Sequence, residues 1–117
     1  MDLNALKQAI GTGRTVVTGH AFIEMLADGI ADEQEIWSSI LATGELLEDY
    51  PTASRGACCL LLCSLPDGRP LHTVVAYPSP RVAAQLAVAA AAVLITVYRP
   101  DQHPHEWSAD YRTRLLP

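Results

Sequence analysis

The sequence predicts a single α+β domain in which N-terminal helices pack on one face of an antiparallel sheet of about four strands. Apolar residues recur at helical spacing up to Gly44, and short β-branched or aromatic runs follow, separated by Pro, Gly, Ser and Asp. The 117 residues suffice for one hydrophobic core, and no linker or repeat divides them. We therefore expect residues 1–117 to form one domain.

The predicted helices each begin at a residue that can accept an amide hydrogen bond and end near a glycine. The N-cap residues are Asp2, Thr18 and Asp32, and the stops are Gly11, Gly29 and Gly44. Asp32 and Glu35 also have the spacing of a capping box. The apolar faces carry Leu3, Leu6 and Ile10, then Phe22, Met25 and Leu26, and finally Ile36, Ile40 and Leu41.

The predicted strands span residues 45–50, 57–65, 71–77 and 93–99. The tight link at 66–70 favours a hairpin and hence an antiparallel meander. "RTVVTGH" (14–20) is a short apolar segment before the second helix. The alanine-rich stretch 78–92 is too long for a turn, and we expect a short helix inserted there between the last two strands.

Charge is segregated along the chain, whose net charge is −5. Residues 1–54 hold nine acidic side chains against Lys7 and Arg14, while residues 55–117 hold six arginines against four acids. The strongly basic balance of a nucleic-acid binder is missing, so RNA binding is expected to be weak. The acidic half suits a basic protein partner instead.

The predicted location is the cytoplasm. The N-terminus lacks the cationic and apolar regions of a signal peptide. The uncharged run 82–98 is interrupted by Gln85 and Thr96 and falls short of the roughly 20 apolar residues that a membrane span needs, so we expect a buried segment and no membrane contact.

No metal or cofactor is expected. Cys58 and Cys59 should point to opposite faces of one strand, and Cys63 lies about 13 Å beyond Cys59, which disfavours a shared metal or a disulfide. We interpret all three as reduced core residues. His103 and His105 have ligand-like spacing, but further ligands are lacking, so a solvated tail is favoured over a metal site.

A candidate site lies on the sheet face away from the helices. Strand alternation places His72, Val74 and Ala76 on one face, and Leu94, Thr96 and Tyr98 on one face of the last strand. If these faces coincide, His72, Thr96 and Tyr98 share a concave surface. Arg69 and Arg99 flank it.

These residue types suit a metal-independent phosphodiester cleavage. His72 would be the base or the acid, Tyr98 a proton donor or a stacking platform, and Arg69 a bidentate phosphate ligand. The alternative is that Thr96 and Tyr98 are ordinary strand formers and His72 a hydrogen-bonded structural residue. His20 adds a second imidazole just after an N-cap, where the helix dipole favours its neutral form or where it helps to cap its own helix.

Five ordered blocks resemble a known family: "TGHAFIEML..GI", "GELLEDYP", "GRPLHTVVAY", "ITVYRPD" and "EWSADYRTR". They are similar to the bacterial domain-of-unknown-function 4258 family. The resemblance implies a RelE-like fold, within the barnase, EndoU, colicin and RelE group of ribonucleases. The family's site positions fall on His20, Arg69, His72, Thr96 and Tyr98. Where relatives carry two arginines, this chain has Glu24 and Asp28.

Two functions remain open on this basis. The first is a metal-independent endoribonuclease of RelE-like type that uses His20 and His72 as acid and base. The second is a non-catalytic interaction module, related to toxin–antitoxin systems, whose acidic half binds a basic partner. The retained site residues favour the first, and the charge balance with the two replaced arginines favours the second.

Overall fold

The computed structural model describes residues 1–54, 56–77 and 91–115. Three helices and five strands form in these ranges, which confirms the α+β class. The helices are α1 (Leu3–Gly11), α2 (Gly19–Ala27) and α3 (Glu33–Thr43), and a 3₁₀ turn follows at Pro100–Gln102. The strands are β1 (Thr15–Val17), β2 (Glu45–Tyr50), β3 (Cys58–Ser64), β4 (Pro70–Ala76) and β5 (Ala92–Tyr98). The short helix predicted between the last two strands lies outside the described residues.

The sheet has the strand order β1-β5-β4-β3-β2. Strands β2 to β5 form the predicted antiparallel meander. The prediction of about four antiparallel strands is wrong in one respect, because β1 adds a fifth strand that pairs with β5 in parallel. The β-branched run Thr15–Val17 forms this edge strand, and the rest of the fold supplies the long connection that a parallel pair requires. The sheet is therefore mixed.

The helices begin where the capping residues predict. The side chain of Asp2 accepts a hydrogen bond from the Ala5 amide at 3.1 Å. That of Thr18 accepts from the Ala21 amide at 3.2 Å. Asp32 also caps its helix, but it binds the Gln34 amide at 2.9 Å, so the capping box expected with Glu35 is wrong.

The hydrophobic core lies between the helices and one face of the sheet, here called the helix face. The helices contribute Leu6, Ile10, Ala21, Met25, Ile36, Trp37 and Ile40, and the sheet contributes Cys59, Leu61, Cys63, Leu71, Val75, Leu94 and Val97. The predicted apolar face of α2 is only partly buried, because Phe22 and Leu26 stay 48% and 50% exposed. Leu41 of α3 is likewise exposed.

A β-bulge in β5 changes which of its residues share a face. Val74 pairs with Thr96, yet Val75 pairs with Leu94, so Ile95 is the extra residue. Leu94 therefore lies on the helix face, while Thr96 and Tyr98 lie on the opposite face, here called the second face. The expectation that Leu94 shares a face with Thr96 and Tyr98 is wrong, because strict alternation does not continue across a bulge.

The second face is covered by residues 106–115, here called the C-terminal hairpin. Trp107 and Arg114 form an antiparallel bridge, and the Leu115 amide donates to the Glu106 carbonyl at 2.9 Å. Trp107 is only 3% exposed. The face that the sequence predicted as an open surface is thus closed at its centre. No helix in the described ranges is long and apolar enough to cross a membrane.

Candidate functional site

His72 lies at the centre of the second face, beneath the C-terminal hairpin, and is fully buried. Its Nε2 is 2.8 Å from the backbone carbonyl oxygen of Tyr111, and its Nδ1 is 3.0 Å from the hydroxyl of Tyr98, its cross-strand partner. Because a carbonyl can only accept, Nε2 carries a proton and donates it, and the Tyr98 hydroxyl donates to Nδ1. Both nitrogens of a neutral imidazole are therefore occupied.

The surroundings of this pair keep both groups uncharged near neutral pH. Burial lowers the pKa of His72, and the nearby Arg114 lowers it further, against the opposing effects of the Tyr111 carbonyl and Glu48. Burial also raises the pKa of Tyr98 to about 12. His72 is not ready to exchange a proton with a ligand, because both of its ring nitrogens have partners and the ring has no exposed surface.

Aromatic and cationic side chains of the C-terminal hairpin hold the cover in place. The ring of Trp107 meets the His72 ring edge to face, with centroids 4.3 Å apart. The guanidinium of Arg114 lies over the Trp107 ring, with its carbon 4.7 Å from the ring centroid. Arg114 also binds both carboxylate oxygens of Glu48 at 3.2 Å. Burial opposes the shift, but hydrogen bonds from Tyr50 and Arg114 hold the pKa of Glu48 below its usual value.

Thr96 shares the second face with this pair. It lies opposite Val74 and two residues before Tyr98 on β5, and it is half-buried. The structure thus places His72, Thr96 and Tyr98 together on one face, although His72 does not reach the solvent.

His20 lies apart from them, on the first turn of α2, with 71% of its side chain exposed. Its Nε2 is 3.2 Å from Glu24 Oε1. The same carboxylate oxygen accepts a hydrogen bond from the Val97 amide at 3.2 Å, at the edge of β5 beyond its short pairing with β1. Because His72 has no exposed surface, the prediction that it shares a solvent-accessible site with His20 is wrong.

The two arginines that flank the predicted site, one of them the candidate phosphate ligand Arg69, are engaged with acidic neighbours. Arg69 Nε is 2.6 Å from Asp67 Oδ2, and its Nη1 donates to the backbone carbonyl of Asp28. Arg99 forms two hydrogen bonds with Asp101, at 3.1 and 2.7 Å. The carboxylates of Asp67 and Asp101 therefore neutralise much of the positive charge that a phosphate would need.

His103 and His105 do not form a metal site in the described ranges, where no group of three potential ligands could hold an ion. His103 Nδ1 is 3.2 Å from Glu106, and its ring packs edge to face on Tyr98 at 5.8 Å. An open groove of about 480 Å³ lies beside Tyr98 and is lined by His105, Glu106, Trp107, Arg114 and Leu115.

The residues that cover His72 were not recognised from the sequence as part of the site. The only signal was the block "EWSADYRTR", which contains Trp107, Tyr111, Arg112 and Arg114. A tryptophan with nearby arginines is compatible with many roles, and only the fold shows that Trp107 covers His72.

The chain has a match among known protein families. The family model for a domain of unknown function (DUF4258) matches residues 17–99, which is more than half of the chain and includes His20, Arg69, His72, Thr96 and Tyr98. No curated protein and no solved structure matches. The relationship to RelE-like ribonucleases that the resemblance implied remains a prediction. By the extent of the family match, the chain belongs to the domain-of-unknown-function family DUF4258.

Proposed function

We propose that this domain is a non-catalytic interaction module that binds a basic, amphipathic protein segment. The observation that carries the proposal is the engagement of the candidate catalytic groups within the protein. His72 is buried with both ring nitrogens hydrogen-bonded, and His20 stands exposed on another element.

Cleavage of a phosphodiester needs an acid and a base that reach the same substrate. The buried His72 and the exposed His20 do not meet this condition, and the arginines at the rim are paired with aspartates. Glu24 and Asp28 further reduce the attraction for phosphate at the positions where relatives carry cations. These features favour binding over RNA cleavage.

An exposed apolar surface suited to a partner lies on α2. Phe22, Ile23 and Leu26 are 48%, 69% and 50% exposed. Residues three and four positions apart are neighbours on a helix, so these side chains form one patch, here called the α2 patch. Apolar side chains clustered in this way are typical of a docking surface.

Acidic groups follow the α2 patch directly along the chain. Asp32, Glu33 and Glu35 begin α3 and form no ion pair with any residue in the described ranges. The sequence between Arg14 and Arg55 contains no Lys or Arg that would neutralise them. A partner helix with an apolar ridge and flanking Lys or Arg residues is complementary to this combination.

The test uses a labelled helical peptide of Leu and Lys with 3.6-residue periodicity, and a scrambled peptide of the same composition. Fluorescence anisotropy should show binding of the periodic peptide, weaker at high salt. Ile23→Asp should weaken binding at least tenfold, since it buries a charge against the peptide's apolar ridge. Leu46→Asp is the matched control, because Leu46 is a 37% exposed apolar residue on the opposite edge of the sheet.

Equal binding of the periodic and scrambled peptides, or equal effects of the two substitutions, would overturn the proposal. A parallel assay tests the alternative function. The purified protein should not cleave mixed single-stranded RNA above a heat-treated control, and neither should Glu24→Arg combined with Asp28→Arg. Cleavage that His72→Gln abolishes would instead establish the ribonuclease.

A further inference from the structure

The C-terminal hairpin is organised as a unit separate from the sheet that it covers. Three backbone hydrogen bonds join its own residues: Leu115 to Glu106, Ser108 to Thr113, and Tyr111 to Ser108. A fourth joins the Glu106 amide to the carbonyl of His103, just before the hairpin. Within the described part of the chain, no backbone–backbone hydrogen bond links it to a strand. It therefore lies on the sheet without extending it.

The contacts between the hairpin and the sheet use side chains and one carbonyl. Tyr111 has a φ of 64°, which is uncommon for a residue other than glycine, and its carbonyl binds His72 Nε2. Arg112 binds Glu45 with two hydrogen bonds, at 2.6 and 3.3 Å. The ion pair between Arg114 and Glu48 and the packing of the Trp107 ring add to these two contacts. Buried aromatic rings and paired charges of this kind are the contacts by which a bound peptide is recognised.

The recognising groups on the sheet form two parallel rows across the strands. In the first row the cross-strand partners are Glu45, Leu62, His72 and Tyr98. In the second row they are Glu48, Leu60, Val74 and Thr96. Each row has a carboxylate on β2 and an apolar centre on β3. The second face therefore presents two anionic positions beside an aromatic one.

The second face also buries a layer of its own. Leu60, Leu62, His72 and Trp107 are all buried, yet none of them belongs to the core cluster between the helices and the sheet. The family match covers the sheet residues of this layer but ends at residue 99, before Trp107 and the rest of the hairpin. The covering residues lie beyond the matched range, although "EWSADYRTR" is one of the blocks that resemble the family.

We propose that the second face is a peptide-binding site, and that the C-terminal hairpin fills it as a ligand supplied by the same chain. The ligand class is a segment with an indole followed, five and seven residues later, by arginines, as in Trp107, Arg112 and Arg114. A segment of another protein with this pattern binds when the hairpin leaves. This site is distinct from the α2 patch and does not depend on it.

The proposal is tested with a fluorescent peptide of residues 103–115 and full-length protein. In the wild type the attached hairpin competes, so binding of the added peptide should be weak. Arg112→Gln with Arg114→Gln removes the exposed ion pairs and should improve peptide binding several-fold. Adding Trp107→Ala should raise the improvement to at least tenfold, because the buried indole is the main anchor.

Two controls locate the bound peptide. A peptide with Gln at both arginine positions should bind several-fold more weakly. Glu45→Gln with Glu48→Gln in the hairpin-weakened protein should have a similar effect, whereas Ile23→Asp should have none. This last comparison separates the site from the α2 patch.

The proposal is overturned if the Arg112→Gln, Arg114→Gln variant is folded but binds the peptide no better than the wild type does. The same holds for the variant that also carries Trp107→Ala. Circular dichroism and a thermal melt establish folding. If even the two exposed arginine substitutions unfold the protein, the hairpin is an integral part of the fold and the proposal is equally wrong.

Discussion

His72→Ala provides the most direct measure of how the second face is built. The substitution removes a fully buried ring and leaves the Tyr98 hydroxyl and the Tyr111 carbonyl without their partner. Each lost hydrogen bond should cost about 1 kcal/mol. The cavity beside Trp107 should add about 1–2 kcal/mol, since the ring there is in direct contact. The free energy of unfolding should therefore fall by about 3–4 kcal/mol.

For a domain of this size, that loss corresponds to a decrease in Tm of roughly 10 °C or more. A thermal melt and a urea titration of the same samples measure it. His20→Ala is the matched control, because that histidine is 71% exposed and its loss should change stability by at most about 0.5 kcal/mol. If His72 lay on an open surface, as the sequence predicted, His72→Ala would leave folding largely intact. A Tm within about 2 °C of the wild type would restore that expectation and refute the buried hydrogen-bonded ring.

The remaining predictions concern pH, thiols, one buried hydroxyl and metal. Burial lowers the pKa of His72, so below about pH 6.5 the unfolded chain binds more protons than the folded protein does. The free energy of unfolding should therefore decline from pH 7 to pH 5. In a series of thermal melts across this range, His72→Gln should show a smaller decline than the wild type. Burial raises the pKa of Cys63 to about 12, and Cys59 is buried likewise, so a disulfide reagent at pH 8 should react only with Cys58 until the protein is denatured. Thr73→Val should raise Tm by a few degrees, about 1 kcal/mol, because the buried Thr73 hydroxyl has no hydrogen-bond partner among the described residues. EDTA should leave Tm unchanged, and a decrease of several degrees would reveal a structural metal.

Local patterns predicted the helix starts well. Asp2 and Thr18 each bind an amide three residues ahead, so their roles depend on a short stretch of chain. The same reasoning failed for the buried face of α2, since the sheet and neighbouring helices decide how much of a short amphipathic helix is covered. Phe22 has the right spacing for a core residue, yet it stays about half exposed.

The second face could not be predicted because its determinants are distant in sequence. The bulge at Ile95 becomes visible only when β5 is paired with β4. The Arg112–Glu45 pair joins residues 67 positions apart. Alternation within one strand correctly placed His72 with its neighbours, but it carries no information about a segment that covers them.

The hydrogen bond from the Val97 amide to Glu24 has a consequence for self-association. β1 pairs with β5 only as far as Leu94, so the rest of that edge offers backbone groups to which a strand of another molecule could add. Thr18 binds the carbonyls of Leu94 and Ile95, and Glu24 accepts from Val97, so α2 closes the edge with its own groups. An arginine side chain at position 24 has no acceptor for this amide. The acidic residue thus occupies a backbone donor with which an added strand would otherwise pair.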